Sequence, residues 1–177
     1  MQDLPGGTAR EVGQVRKHAL VIDHDACWGC RTCEVACAQE YDFKSKFLLV
    51  TEEGPSQDNS IHDYTYRVNV CRHCEDPPCV GACPEEAISQ RDDGIVVLDA
   101  DRCTGCRSCI EACSYEVIAF DEEQQVAQKC NLCRHRVDNG LIPACADNVC
   151  LAHCIYFGEP ADIEATIEGK RKKRQTI

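Results

Sequence analysis

Two runs of four cysteines carry most of the chemistry that this sequence could perform. Residues 27–37 read CWGCRTCEVAC and residues 103–113 read CTGCRSCIEAC, so both have the spacing CxxCxxCxxxC. Three sulfurs at two-residue intervals can converge on one small object, whereas the fourth, on the next turn of a helix, points elsewhere. This geometry suits an iron-sulfur cluster better than a single metal ion, and its repetition argues against chance.

Two further motifs contain the remaining cysteines. Residues 71–83 read CRHCEDPPCVGAC, a variant in which two prolines accommodate a longer interval. The last motif, residues 130–154, has a CxxC pair followed by three more widely spaced cysteines. Together the four motifs hold all 17 cysteines, one more than four clusters of four thiolate ligands require.

Composition also requires cross-links in the interior. The chain has 177 residues and is 44% hydrophobic with cysteine included, so the ordinary apolar core is thin. Disulfides, zinc and iron-sulfur clusters are the three candidates. An odd cysteine number and two-residue intervals argue against disulfides, and structural zinc usually takes two separated pairs of ligands.

The elements that must position the cysteines are short. HALVIDHD at 18–25 and GIVVLDAD at 94–101 are typical of strands that lead into a cysteine motif. FLLV at 47–50 and the alternating YTYRVNV at 64–70 predict a hairpin within an insertion at 38–70, and residues 116–129 predict another. The repeating order is strand, cysteine loop, short helix, strand.

In this order the motifs CxxCxxCxxxC, CxHCExPPCxxxCP, CxGCxxCxxxC and KCxxCxxRxxxGxxPAC resemble the four-cluster ferredoxin subunits of molybdenum and tungsten pterin oxidoreductases. That family includes electron-transfer subunits of dimethyl sulfoxide reductase, formate dehydrogenase and soluble aldehyde oxidoreductase complexes. The resemblance implies an α+β fold of tandem bacterial-type 2×4Fe-4S ferredoxin modules with short helices and β-hairpins. It covers residues 18–158 as two interleaved dicluster modules, between an N-terminal docking tail at 1–17 and a basic C-terminal tail at 159–177.

The resemblance also implies four 4Fe-4S clusters and a nested pairing of motifs, the first with the fourth and the second with the third. The expected metal ligands are sixteen cysteines: Cys27, Cys30, Cys33, Cys37, Cys71, Cys74, Cys79, Cys83, Cys103, Cys106, Cys109, Cys113, Cys130, Cys133, Cys145 and Cys150. Spacing alone is equally compatible with pairing of the first motif with the second.

The fourth motif departs from the family pattern. Counting back from Phe157 and Gly158 places Cys150 where the family has its last ligand and Cys154 where a small residue is usual. We expect Cys150 to be the ligand and Cys154 a small buried hydrophobe, with the reverse assignment as the alternative.

Three residues beside the ligands have expected roles of their own. Gly29 and Gly105 precede the second cysteine of their motifs, and they are expected to let backbone amides approach a cluster closely. Trp28 is expected to shield its cluster from water.

These features predict an electron-transfer subunit without catalytic activity of its own, because four clusters leave little room for a substrate and no nucleotide-binding fingerprint is present. The expected partners are a W- or Mo-pterin catalytic subunit, of aldehyde oxidoreductase or formate dehydrogenase type, and a flavin (FAD) subunit or ferredoxin. A freely diffusing polyferredoxin is the alternative.

The net charge and the two tails predict how the chain docks and where it is located. The net charge is −11 although Lys170 to Arg174 read KRKKR, so we expect this tail to dock on an acidic protein surface rather than nucleic acid. Self-association through the tails is a further expectation. The sequence shows neither an export signal nor a membrane anchor, which predicts a cytoplasmic location.

Overall fold

The computed structural model describes residues 18–42, 45–54, 64–146 and 148–174. The predicted N-terminal docking tail at 1–17 lies outside these residues, as do residues 55–63 within the insertion. In the described part, short helices and strands alternate along the chain. The strands are β1 Ala19–Ile22, β2 Leu48–Glu53, β3 Thr65–Val70, β4 Ile88–Gln90, β5 Val96–Leu98, β6 Ala119–Asp121, β7 Val126–Gln128 and β8 Ile155–Gly158. The helices are α1 Thr32–Glu40, α2 Pro78–Gly81, α3 Ser108–Glu111, α4 Arg134–Val137 and α5 Pro160–Arg174.

The strands pair as four separate two-stranded antiparallel sheets, in the combinations β1–β8, β2–β3, β4–β5 and β6–β7. Three of these are hairpins between neighbouring strands, which local alternation favours. The fourth sheet joins the two ends of the domain, with Ala19 opposite Gly158 and Ile22 opposite Ile155. The predicted α+β class with short helices and hairpins is therefore confirmed.

Two hydrophobic cores lie beneath these sheets. The larger core combines Leu20, Val50 and Val68 with cysteines of the first, second and fourth motifs. The smaller core combines Ile88 and Val96 with cysteines of the second and third motifs. Because each core includes thiols, the cysteine side chains replace the large apolar residues that the sequence lacks.

Helix α5 folds back onto the start of the domain. Arg171 lies 2.7 Å from the carboxylate of Asp23, whose side chain is fully buried, and 2.9 Å from that of Asp25. Lys170 lies 4.7 Å from the ring centroid of Tyr156, and Ile163 is buried. The basic tail was expected to dock on a partner, but these two cations contact the chain's own first motif region and β8. None of the helices in the described residues is long and apolar enough to span a membrane.

Candidate metal centre

The cysteines gather into four groups, each formed by two motifs. Site 1 consists of Cys27, Cys30, Cys33 and Cys150, and site 2 of Cys37, Cys130, Cys133 and Cys145. Site 3 consists of Cys71, Cys74, Cys79 and Cys113, and site 4 of Cys83, Cys103, Cys106 and Cys109. The structure thus brings the first motif to the fourth and the second to the third, which is the nested arrangement that the resemblance implies. Metal ligation by these residues stays a prediction.

Sites 3 and 4 each surround a cavity. The cavity at site 3 has a volume of about 370 Å³ including its open mouth, and all four cysteines of the site line it together with Pro77 and Ile118. The cavity at site 4 measures about 310 Å³ on the same basis and is lined by its four cysteines, Ile88 and Ala127. Both cavities are therefore bounded by sulfur and apolar atoms, with few other groups that could bind a metal.

At sites 1 and 2 the sulfurs lie so close together that their thiols are less acidic than usual. Burial, together with the neighbouring thiols of Cys150 and Cys27, raises the pKa of Cys33 to about 12. Burial also raises the pKa of Cys145, as do the nearby thiols of Cys130 and Cys133. Thiols this buried and this close together resist ionisation on their own.

The donor set fits the iron-sulfur cluster that the family implies. Each site offers four cysteine sulfurs, contributed by two motifs, in apolar surroundings. Soft thiolate ligands of this kind are the ones that iron-sulfur clusters prefer. A cluster would supply the positive iron centres that keep crowded thiolates ionised. In the described residues, no three His, Cys, Asp or Glu side chains converge closely enough to hold a single metal ion.

The cysteine loops share one backbone feature. The residue before the second cysteine has a positive φ in every motif: +67° at Gly29, +45° at His73, +72° at Gly105 and +54° at Leu132. Sequence reasoning identified only the two glycines, because His73 and Leu132 carry no signal of this conformation. The left-handed residue turns the chain sharply and aims successive sulfurs into one site.

The two glycines also have crowded surroundings. A Cβ atom at Gly29 would overlap the ring of Tyr66, and one at Gly105 would overlap the backbone carbonyl oxygen of Gln125. Their predicted role in cluster contact stays a prediction, but the structure adds a steric reason why neither position accepts a side chain.

Backbone amides point at four of the cysteine sulfurs. The amides of Phe47, Ala87 and Leu132 donate to Cys37, Cys83 and Cys130 at 3.3 to 3.4 Å. The amide of Cys154 donates to the sulfur of Cys150 at 3.4 Å. Such bonds stabilise thiolate charge, and in iron-sulfur proteins they tune the potential of a bound cluster.

The surroundings of two side chains near the sites show what they do in this chain. Trp28 is 66% exposed, so in the isolated chain it does not shield site 1 from water. His73, which as a neighbour of Cys74 could suggest histidine ligation, is buried, and its Nδ1 accepts a hydrogen bond from the amide of Val96 at 2.9 Å. That bond gives His73 a structural role in the loop.

A buried lysine was not anticipated from the sequence. Lys129 is 4% exposed, and its ammonium donates to the carbonyl oxygens of Val96 at 2.5 Å and Cys130 at 2.8 Å. Burial raises the pKa of the Cys79 thiol in site 3 to about 11 and that of the Cys130 thiol in site 2 to about 12, and the positive charge of Lys129 opposes both increases. Only its position before a ligand cysteine could have drawn attention to it.

A buried glutamate at site 1 was also missed. Glu34, next to Cys33, accepts hydrogen bonds from Lys46 at 2.7 Å and from the amide of Val50 at 2.6 Å. It therefore ties helix α1 to strand β2.

The fourth motif places three cysteines in the interior. Cys145, Cys150 and Cys154 are 6%, 6% and 1% exposed. Cys145 joins site 2, whereas Cys150 and Cys154 lie together beside site 1, with their sulfurs 3.5 Å apart.

Comparison with known proteins agrees with this donor chemistry. Residues 62–160 match the family described as the 4Fe-4S dicluster domain. The chain is 36% identical to a subunit of tetrathionate reductase from Salmonella typhimurium, over 93% of this chain and 67% of the relative. It is 35% identical to a subunit of anaerobic dimethyl sulfoxide reductase from Escherichia coli, over 80% of this chain and 73% of the relative. It is 33% identical to the electron transfer subunit of thiosulfate reductase from Salmonella typhi, over 90% and 85% respectively.

These relatives are named as chains or subunits of reductases, one of them as an electron transfer subunit, and the matched region of this chain includes sites 3 and 4 entirely. The chain belongs to the 4Fe-4S dicluster family of iron-sulfur electron-transfer proteins and is not itself an enzyme.

Proposed function

We propose that this chain carries four 4Fe-4S clusters, one at each site, and relays single electrons between the catalytic subunit of a pterin oxidoreductase and an electron acceptor or donor. The observation that supports this most directly is the grouping of sixteen cysteines into four sites of four. A bound cluster takes up and releases one electron at a time.

The sites follow one another through the protein. Besides burial, the thiol of Cys33 in site 1 raises the pKa of Cys145 in site 2, so these two sites are neighbours. In the same way, the thiol of Cys71 in site 3 raises the pKa of Cys130 in site 2. Cys79 of site 3 and Cys109 of site 4 belong to the same small core. The order is therefore 1, 2, 3, 4, which suits a linear path for electrons.

The two ends of this path reach the surface differently. Cys30 of site 1 and Cys106 of site 4 are the exposed cysteines, each the second of its motif. Two large apolar side chains near Cys30 are more than half exposed: Trp28, two residues before it, and Leu151, whose backbone hydrogen-bonds to the Cys30 sulfur. Because permanent subunit interfaces are more hydrophobic than transient ones, we assign the site 1 end to the catalytic subunit and the site 4 end to the mobile partner.

For the partners we keep the identities that the sequence resemblance implies. The catalytic subunit would hold a W- or Mo-pterin centre of aldehyde oxidoreductase or formate dehydrogenase type, and the second partner would be a flavin (FAD) subunit or a ferredoxin. The relatives are named for reductases of tetrathionate, dimethyl sulfoxide and thiosulfate, so a reductase of this kind is the competing identity. Self-association through the tails and a cytoplasmic location stay predictions.

The test is anaerobic purification of the native protein with its co-purifying chains, followed by metal analysis. We expect about sixteen irons per chain, together with tungsten or molybdenum in a co-purifying subunit identified by mass spectrometry. About sixteen irons without a partner would instead indicate a freely diffusing polyferredoxin. Zinc in place of iron would contradict the proposal altogether.

A further inference from the structure

We infer that site 1 has two interchangeable fourth ligands, Cys150 and Cys154, either of which can bind the same iron. The inference rests on the proposed function, in which site 1 holds a cluster with Cys27, Cys30 and Cys33. It assigns a role to the seventeenth cysteine, which the four sites otherwise leave unused.

Five sulfurs rather than four meet at site 1. The thiols of Cys150 and Cys27 are each neighbours of both Cys33 and Cys154. The sulfurs of Cys150 and Cys154 are 3.5 Å apart, which is hydrogen-bonding contact for sulfur. Both side chains are buried, so protein atoms surround the pair.

The backbone holds the two sulfurs on the same side of the chain. Leu151 and Ala152 form a turn, and His153 adopts a positive φ of +47°. The amide of His153 donates to the carbonyl of Cys150 at 2.9 Å, and the amide of Cys154 donates to the sulfur of Cys150. The turn makes Cys150 and Cys154, which are four residues apart, adjacent.

The second sulfur is also anchored. The carbonyl oxygen of Cys154 accepts a hydrogen bond from the amide of Asp23 at 2.8 Å, directly before strand β8 pairs with β1. Cys154 is thereby fixed beside the first motif by the main chain, independently of Cys150. A shift of side-chain torsions, without a change of fold, is enough to exchange the two sulfurs at one position.

The exchange balances without an oxidant or reductant. The bond from iron to the Cys150 sulfur breaks and a bond from the same iron to the Cys154 sulfur forms. The thiol proton of Cys154 passes to Cys150 across their contact, and the oxidation states of iron and sulfide do not change. Two sulfurs in contact with each other are placed to serve one iron in turn rather than two irons at once.

The test uses the complex purified without oxygen, with the variants Cys150→Ala, Cys154→Ala and the double variant. Each single variant should retain about sixteen irons per chain, and the double variant should lose one cluster, leaving about twelve. Electron paramagnetic resonance of the reduced protein should show a changed signal from site 1 in Cys150→Ala, since a different side chain then completes its coordination. A single variant that loses the cluster of site 1 while the other retains it would overturn the inference, because one cysteine would then be the sole ligand.

A matched control separates this inference from the proposed function. Cys83 is the ligand that the second motif supplies to site 4, whose lining contains four cysteines. Cys83→Ala should therefore lose a cluster without rescue, and full iron in this variant would contradict the cluster assignment itself. If Cys150→Ala does not accumulate as folded protein, Cys150→Ser tests the interchange of ligands instead. The interchange predicts an all-thiolate spectrum for site 1 in that variant, and the spectroscopic signature of a serine oxygen ligand would overturn it.

Discussion

At the scale of single residues, the cysteine loops depend on backbone conformations that most side chains resist. His73 and Leu132 adopt a positive φ at a cost of about 1–2 kcal/mol each for a residue with a side chain. Gly29 and Gly105 avoid this cost, and the space a side chain would occupy is filled by Tyr66 and Gln125. The same loop geometry is thus built by different residues with different tolerance to substitution.

We predict that Gly105→Ala destabilises the protein more than Gly140→Ala does. Both glycines have a positive φ, +72° and +75°, but only a Cβ at Gly105 would overlap a backbone carbonyl, whereas nothing lies within 4 Å at Gly140. Gly140→Ala should cost about 1–2 kcal/mol, and Gly105→Ala a further 1–3 kcal/mol, roughly, from the overlap. Apparent melting temperatures of the two variants test this, and equal values would show that the contact with Gln125 relaxes freely.

At the scale of elements, the β2–β3 hairpin is attached to helix α1 through one carboxylate. Glu34 is buried and accepts hydrogen bonds from Lys46 and from the amide of Val50. Burial raises the pKa of Glu34, but the hydrogen bonds from Lys46 and Val50 outweigh it, so the pKa lies below its usual value. The charged form is therefore the one that stabilises the fold.

Glu34→Gln should lower stability by about 1.5–3 kcal/mol, the usual worth of hydrogen bonds to a charged group. Because the folded-state pKa is depressed, this contribution is fully present above the unfolded pKa of about 4.3 and is lost as the pH falls through the lower folded value. The difference in melting temperature between wild type and variant should therefore stay constant between pH 8 and 5. Glu53→Gln is the control, since Glu53 and Arg67 form an exposed pair on the same hairpin. A difference that shrinks steadily across this range, or an equal effect at Glu53, would contradict the argument.

Several elements could be predicted from the sequence because their signals are local. The alternation in residues 64–70 predicted the strand that became β3, and residues 116–129 predicted the β6–β7 hairpin. The pairing of β1 with β8 joins residues at opposite ends of the domain, and local pattern carries no information on it. The turn at 151–153 could not be predicted either, since the left-handed conformation of His153 has no sequence signature.

The candidate sites, like the elements, could be predicted from the sequence only in part. In the first three motifs the three cysteines that share a site follow from spacing, but the fourth member comes from a distant motif and depends on the whole fold. The resemblance to a family provided the nested pairing. Neither spacing nor resemblance indicated the buried Lys129 or the tie between Glu34 and Val50.

At the scale of the whole molecule, a buried cation lies where the two cores meet. Lys129 bonds to Val96 of the smaller core and to Cys130 of the larger core, and so lies between sites 3 and 2. In the part of the chain that the structure describes, no carboxylate forms an ion pair with it. Its charge therefore acts on the middle of the proposed electron path without a counterion at its side.

We predict that Lys129→Met makes the clusters of sites 2 and 3 harder to reduce. A unit charge about 10 Å away contributes on the order of 1–2 kcal/mol at an effective dielectric constant of about 20, and reduction adds negative charge that the ammonium stabilises. A redox titration followed by electron paramagnetic resonance should show lower potentials for two of four clusters. Lys172→Met is the control, because Lys172 pairs with Glu168 on the exposed face of α5 and should leave all four potentials unchanged. Equal shifts of all four would point to a general structural effect instead.

The nested pairing has a consequence for how the protein is made. Sites 3 and 4 need only residues 71–113, so both can close while the last third of the chain is still being synthesised. Sites 1 and 2 must wait for residues 130–150 to leave the ribosome, although their first cysteines emerge before all others. Maturation then proceeds from the centre of the sequence outward, and the early thiols of the first motif remain without partners for the longest time. Strand β8 and helix α5, which close over that motif, follow the fourth motif in the chain and can pack only after it.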